Sequence, residues 1–419
     1  MKAVITALKT LPTAAFVIRK TFALYSLPSC ANLFKQNQQR RPSPEMQQFN
    51  TRFQSLTLQR LPLRSRETLR AWDAADEYLL EHLGEIDISG RVLIFNDNFG
   101  ALTLNLATCN PVLYSDSWLA HQSAIHNAQR NGIATDSFQC LASTEPLQGA
   151  FDHVLIRFPD NLSWLEEQLL RLRPHIHEHT QIIAAGMARY IHTSTLSLLS
   201  KILGPTRTSL ARKKARLAFV TVDPGLSPAT SGFPETLSMP GNLITINHAS
   251  LFSRKKLDIG TRFFLEHLPD TRHRRNIIDL GCGNGILGLT AASRDPESIV
   301  TFVDESYMAV QSARESWHAN NLPDDHGRFI VNDCLTGFPA NSADLVLCNP
   351  PFHQGTTIGD HIARRMFRQA HRILRSGGEL RIVGNRHLNY HVRLERLFGN
   401  YRLIASNARF VILSSIRTF

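Results

Sequence analysis

Two stretches of the chain share one rhythm: a short apolar run, a breaker-rich turn, then apolar residues at helical spacing. In the second half Asn276-Ile277-Ile278-Asp279-Leu280 passes through Gly281-Cys282-Gly283-Asn284-Gly285 into Ile286-Leu287-Gly288-Leu289-Thr290-Ala291-Ala292, which predicts strand, turn and helix. Short runs of this kind fit strands of a parallel sheet covered by helices on both faces. More follow: residues 299–303 end at Asp304, 329–332 end at Asp333, and 343–348 end at Asn349. Residues 243–246 read as a short strand, and 262–268 as a helix for which Asp258 is a fitting cap. Residues 379–384 and then 401–416 read as the last strands, the final pair antiparallel.

The first half repeats the plan. Residues 92–102 align on 277–287 with Gly100 on Gly285, Asp116 after a strand matches Asp304, and 151–160 align on 343–352. The expected fold is α/β: two tandem class I (Rossmann-like) methyltransferase folds. The copies differ where chemistry would occur. Asn96 and Asn98 stand in place of Gly281 and Gly283, and Arg157-Phe158-Pro159-Asp160 replaces Asn349-Pro350-Pro351-Phe352. Side chains at the loop positions would obstruct a cofactor, so the N-terminal copy is expected to be degenerate and the C-terminal copy catalytic. The expected division is a basic extension at 1–48, a degenerate domain at 49–222 serving RNA binding or support, a linker at 223–240 and a catalytic domain at 241–419.

A glycine turn between strand and helix is where a nucleotide-like cofactor meets an α/β sheet, because it lets a ligand approach the main chain with no Cβ in the way. Asp304, at the end of the next strand, can accept hydrogen bonds from both hydroxyls of a ribose. A nicotinamide dinucleotide would use the same geometry. The loop here reads GxGxG after Asp279 and lacks the third glycine of GxGxxG, which suits S-adenosylmethionine (SAM) better. The expected cofactor residues are Asp279, Gly281, Gly283, Gly285, Asp304, Asp333 and Thr261. Asp333 could meet the adenine amino group, and it reads equally as a solvated loop carboxylate. Phe252 and Thr261 could line the pocket.

Asn349-Pro350-Pro351-Phe352 then specifies the acceptor. An aryl NH2 is a poor nucleophile because its lone pair is delocalised into the ring. Hydrogen bonds accepted by the Asn349 side-chain oxygen and the Pro350 carbonyl would draw that nitrogen toward tetrahedral geometry. The prolines hold φ near about −65° and so fix these acceptors. Phe352 can stack on the base, worth roughly 1–3 kcal/mol. Asn349, Pro350 and Phe352 are therefore the expected catalytic group, without a strong general base.

Composition narrows the partners. Six cysteines, Cys30, Cys109, Cys140, Cys282, Cys334 and Cys348, form no C-x-x-C pair and no metal-ligand spacing, so neither a disulfide frame nor a metal is expected. The net charge is +11, of which residues 1–48 supply +6 through seven Lys/Arg against one Glu. That arm is read as disordered or as an over-extended start, with Met46 the more natural beginning, and no stretch in it resembles a membrane span. Four basic clusters point to nucleic acid: Arg207 with 212–216, 254–256, Arg272 with 274–275, and 364–375. A DNA adenine methyltransferase, a protein glutamine methyltransferase and a non-enzymatic RNA-binding assembly factor are the competing classes.

Leu58-Gln59-Arg60, Ala71-Trp72-Asp73-Ala74-Ala75-Asp76-Glu77-Tyr78, His192-Thr193-Ser194-Thr195-Leu196, Leu257-Asp258-Ile259-Gly260-Thr261-Arg262, the glycine loop and Cys348-Asn349-Pro350-Pro351-Phe352-His353-Gln354 together resemble the bacterial ribosomal RNA large subunit methyltransferase G family. The motifs from 252 onward are also similar to the small-subunit relative, methyltransferase C; the segment from Trp72 to Tyr78 favours G. The resemblance implies a two-domain, cytoplasmic, SAM-dependent enzyme that methylates the exocyclic N2 of a guanine in 23S rRNA, with no membrane and no obligate protein partner. The family does not carry residues 1–48.

Overall fold

The computed structural model describes residues 48–65, 67–251, 257–351 and 358–418. The first half runs β1 (Gln48–Asn50), β2 (Ser55–Thr57), α1 (Ala74–Leu83), β3 (Val92–Phe95), α2 (Ala101–Asn105), β4 (Val112–Ser115), α3 (Trp118–Arg130), β5 (Gln139–Ala142), β6 (His153–Arg157), α4 (Leu162–Leu172), β7 (Gln181–Met187), α5 (Thr193–Ile202), β8 (Thr206–Thr208) and β9 (Ala215–Val220). The second runs β10 (Glu235–Met239), β11 (Leu243–Asn247), α6 (Ile259–Glu266), β12 (Asn276–Leu280), α7 (Ile286–Arg294), β13 (Ile299–Asp304), α8 (Tyr307–Ala319), β14 (Gly327–Val331), β15 (Ala343–Cys348), α9 (Ile358–Ile373), β16 (Leu374–Asn385), α10 (Tyr390–Phe398), β17 (Arg402–Ser406) and β18 (Phe410–Ile416).

The two large sheets have the same topology. Their strand orders are β5-β4-β3-β6-β7-β9-β8 and β14-β13-β12-β15-β16-β18-β17. In each, five parallel strands are followed by an antiparallel pair that inserts its last member beside the fifth. The order reverses between β12 and β15, which opens a crevice at their carboxyl ends, the usual ligand position in such sheets. Four apolar clusters cover the faces, and Ala249, Leu251 and Met308 of the second half pack into a cluster of the first. The tandem Rossmann-like expectation holds.

Two features depart from the sequence reading. Residues 235–239, assigned to a linker, form β10 and pair antiparallel with β11. The resulting hairpin is the counterpart of β1-β2, and both hairpins are fastened alike. Asn131 at the end of α3 accepts from Thr57 N at 2.7 Å and donates to Thr57 O at 3.0 Å. Asn320 at the end of α8 accepts from Ile244 N at 2.9 Å and donates to Ile244 O at 2.7 Å.

The second correction concerns Asp116. Phe95 pairs with Tyr114, and its counterpart Leu280 pairs with Val303. Tyr114 is thus equivalent to Val303, Ser115 to Asp304, and Asp116 to Glu305. The serines that follow, Ser117 and Ser306, each cap a thirteen-residue helix. The first copy has a serine where the second has its strand-end carboxylate. Residues 1–47, 252–256 and 352–357 lie outside the described residues, and with them the basic arm, Phe252, the 254–256 cluster and Phe352.

Replacing Asn320 with Ala strands both Ile244 backbone groups at a half-buried contact. Asn320→Ala should lower unfolding free energy by about 1–3 kcal/mol in urea titrations, and a change within error would show that the hairpin does not depend on this clasp.

Candidate active site

The site grows from the carboxyl ends of β12, β13 and β15. Burial in both sheet faces makes Asp279 an anomaly in an apolar strand, and its contacts explain only half of it. One carboxylate oxygen, Oδ2, accepts from Gly288 N at 2.8 Å, tying β12 to α7; Oδ1 is buried and has no partner among the described residues. Burial pushes this carboxyl up to about 8, opposed by the Gly288 N–H and assisted by the Asp304 charge.

The loop glycines do different things. Gly285, at φ 81°, begins α7, and a Cβ there would stand 3.0 Å from Ala313 Cβ and 3.1 Å from Phe302, so it serves close packing. Gly283, at φ 53°, has open space where a Cβ would project, and its N–H donates to Asp304 Oδ2 at 3.1 Å. Gly281 lies near Met366 and the Asn349 backbone. Asp304 is also bound by Ser306 N, at 3.1 Å to Oδ1, and burial raises its carboxyl despite both donors. Asn284 Nδ2 donates to Asn247 Oδ1 at 2.9 Å, which secures the loop to the second hairpin. That tether had no signal in the sequence.

Asn349 follows β15, and its amide orientation is determined by its neighbours. Asp258 caps α6, accepting from Thr261 N at 2.9 Å and from Thr261 Oγ1 at 3.3 Å. With its proton directed to Asp258, the Thr261 hydroxyl accepts from Asn349 Nδ2 at 2.9 Å. Asn349 Oδ1 is left buried and unpartnered among the described residues. Thr261, expected against the cofactor, therefore bonds the Asn349 amide. Pro350 is buried beside it and Pro351 exposed. Asp333 stands apart at the end of β14, ion-paired with Arg365; burial still raises its carboxyl.

The first half has other chemistry at the same positions. Arg157 replaces Asn349 and Asp76 replaces Thr261, and the two form an ion pair at 3.4 Å, with Asp73 at 2.8 Å from the same guanidinium. Asn96, at the Gly281 position, donates to Arg157 O at 2.9 Å and to Gln168 Oε1 at 3.0 Å, and accepts from Gln168 Nε2 at 2.8 Å. Asp97 accepts from the backbone N–H groups of Ala101, Leu102 and Thr103 and from the Thr103 hydroxyl. These side chains fill and satisfy what the second copy leaves open.

The basic clusters also separate. Arg212 pairs with Glu81, Lys213 with Glu77, Arg272 with Asp270 and Arg375 with Asp344. Arg364 and Arg368 line a cleft of about 780 Å³ with His387, Arg393 and Arg396, between α9 and α10. The cleft opens beside the turn Arg386–Leu388 that leaves the carboxyl end of β16, the sheet edge that also carries Asn349.

Comparison with known proteins agrees with this organisation. Residues 46–224 match the RLMG N-terminal domain and 242–414 the methyltransferase small domain. The ribosomal RNA large subunit methyltransferase G of Erwinia tasmaniensis is 49% identical over 379 residues, covering 89% of this chain and 100% of that one. The chain belongs to the ribosomal RNA large subunit methyltransferase G family. Another member, from Streptomyces avermitilis, is 48% identical over 369 residues, covering 86% of this chain and 96% of its own. The solved structure of the T. thermophilus 16S rRNA N2 G1207 methyltransferase (RsmC), in complex with AdoMet and guanosine, shares the fold with a TM-score of 0.72 at 20% identity, covering 89% of this chain and 98% of that one.

A carboxyl raised by folding stabilises the fold fully below its unfolded value, about pH 4, and that contribution is lost as pH climbs through the folded value. Ligand-free protein unfolded in urea at about pH 5, 7 and 9 should lose stability as pH rises, with Asp279→Asn flattening the upper part of the fall. An unaltered slope in the variant would mean that Asp279 is ionised throughout.

Proposed function

We propose that the chain transfers a methyl group from SAM to the exocyclic N2 of a guanine in 23S rRNA. The observation that carries this reading is the buried Asn349 Oδ1, which has no partner among the described residues and is held in place through Thr261 and Asp258 at the sheet's carboxyl edge. An acceptor oriented before substrate arrives avoids reorganisation at the moment of reaction. Asn349 Oδ1 and the Pro350 carbonyl accept the two amino hydrogens, weaken conjugation of the nitrogen lone pair with the ring and aim it. Because the amino group becomes acidic only as it is alkylated, positioning replaces a general base. Phe352 is assigned to stacking on the guanine.

Asp279, Gly281, Gly283 and Asp304 fit the cofactor: an open space above Gly283, a carboxyl oxygen of Asp279 without a partner among the described residues and a second carboxyl at Asp304 suit a cationic, ribose-bearing ligand. SAM supplies an electrophilic methyl group on its sulfonium. Asp304 is assigned to the ribose hydroxyls, Gly281 and Gly283 to close backbone approach, and Gly285 to the packing that shapes the loop. Asp333 is assigned to the adenine amino group, which it would share with Arg365. The first copy is assigned no SAM, since Ser115 replaces the ribose carboxylate and Asn96 and Arg157 occupy the site.

RNA is assigned to the cleft between α9 and α10, where Arg368 and Arg396 stand with further arginines on the active edge. No helix among the described residues is long and apolar enough to cross a membrane; the cytoplasm is assigned on the proposed rRNA substrate.

Asn349→Ala should lower turnover by about 100-fold or more while SAM affinity stays within about threefold, the pattern of an interaction made in the transition state. Labelled methyl transfer to rRNA from cells lacking the protein, with nucleoside analysis, reads this directly. N2-methylguanosine in the large-subunit RNA is the expected product; label in the small-subunit RNA alone would overturn the 23S assignment, and near-normal turnover of the variant would overturn the role of Asn349. Reversing Arg368 and Arg396 to Glu should weaken RNA binding and reduce the salt slope of log K by about 2; an unchanged slope would move the RNA surface elsewhere.

A further inference from the structure

The two halves meet through the loops that follow β4 and β13, and the contact is reciprocal. Trp118 N donates to Glu305 O at 2.9 Å and Tyr307 N to Asp116 O at 3.0 Å, setting Ser117 opposite Ser306 as an antiparallel bridge. Ser117 Oγ donates to Glu305 Oε2 at 2.7 Å, and Ser306 Oγ donates to Asp116 Oδ2 at 2.6 Å. Each serine also accepts from an amide in the first turn of its own helix, Ala120 N at 3.2 Å and Ala309 N at 3.1 Å.

Asp116 has one partner more than its counterpart. Its other oxygen accepts from Met308 N at 2.9 Å, as Glu305 is bound by the equivalent amide of Leu119, and in addition from Ser143 Oγ at 2.6 Å. One carboxylate of the first half therefore binds the side chain of the residue capping α8 and a backbone amide in the first turn of that helix. The same serine supplies the N–H that binds Asp304 Oδ1, and Asp304 Oδ2 binds Gly283 N. A continuous path of hydrogen bonds runs from Asp116 through Ser306 to Asp304 and on to the glycine loop. It begins in the domain whose own loop is filled by side chains and ends at the open one.

The chemistry of the seam argues against a purely adhesive role. Asp116, Asp304 and Glu305 crowd together, and burial raises all three carboxyls. Well-packed apolar residues often hold such a junction at least as stably as buried charge. Apolar packing is already present at this seam, since Met308, Ala249 and Leu251 pack into the first half.

We infer that Asp116 is a positioning residue for cofactor binding in the other domain, holding Ser306 and the first turn of α8 so that Asp304 is set to receive the ribose hydroxyls. This rests on the reading of Asp304 as the ribose ligand. The degenerate copy thereby sets the affinity of a site to which it contributes no ligand.

The test uses the full chain. Asp116→Ala should raise the SAM dissociation constant by about tenfold, equivalent to about 1.4 kcal/mol, in calorimetry. Turnover at saturating SAM should stay within about threefold, as expected when ground-state and transition-state binding are lost together. Asp116→Asn, which keeps an acceptor for the Ser306 hydroxyl, should fall between Asp116→Ala and the parent, and carries the test if the alanine variant does not fold. Ser117→Ala removes the reciprocal bond to Glu305 and leaves Asp116 bound to Ser306, so it should change SAM affinity by less than about threefold. Equal losses in Ser117→Ala and the Asp116 variant, or lost turnover at unchanged SAM affinity, would overturn the inference. Asp304→Ala separates the two layers. If it leaves SAM affinity intact, the ribose reading fails and the inference falls with it; if it weakens SAM while the Asp116 variant does not, only the positioning role of Asp116 fails.

Discussion

A buried side-chain amide has two ends, and in this fold the neighbours decide which of them remains open. Asp258 accepts a hydrogen bond from the Thr261 hydroxyl, that hydroxyl accepts one from the Asn349 NH2 group, and the Asn349 oxygen is left buried at the sheet edge without a partner among the described residues. An unsatisfied buried acceptor costs free energy in the resting protein, and that cost is relieved when a donor of the right shape arrives. The cap of α6, the end of β15 and the crevice between β12 and β15 all bear on this one atom.

The first half shows the same scaffold with the opposite outcome. Asp73 caps α1 as Asp258 caps α6. The next polar pair is then Asp76 with Arg157, an ion pair that closes the position with charge instead of leaving an acceptor free. Asn96 and Gln168 close the loop in the same manner by bonding to each other. Topology alone thus says nothing about activity: two sheets with the same strand order differ in whether their edge groups find partners inside the protein or must find them in a ligand.

Much of this was legible in the sequence because it is local. The parallel strands announce themselves as apolar runs, the glycine turn lies between a strand and its helix, and Asn349 follows directly on β15. What was hidden is non-local or weakly patterned. Residues 235–239 have alternating exposure and a breaker-rich stretch before them, so a strand that depends on β11 looked like linker. Asp116 was matched to Asp304 because both follow a strand, whereas pairing of Phe95 with Tyr114 places Ser115 there. The ion pairing inside one charge cluster was hidden for a similar reason: the partners of Arg212 and Lys213 are Glu81 and Glu77, more than a hundred residues away in the chain.

The seam between Ser117 and Ser306 has the form of an isologous contact, in which the same patch meets itself across a twofold axis. Such an interface between separate, identical subunits must be self-complementary, so every change on one side is imposed on the other. Joined in one chain, the two sides are released from that rule. Aspartate can face one serine while glutamate faces the other, and Trp118 can begin one helix while Tyr307 begins its twin. The asymmetry that lets one half carry an open pocket and the other a closed one is available to a fused pair and denied to a symmetric dimer.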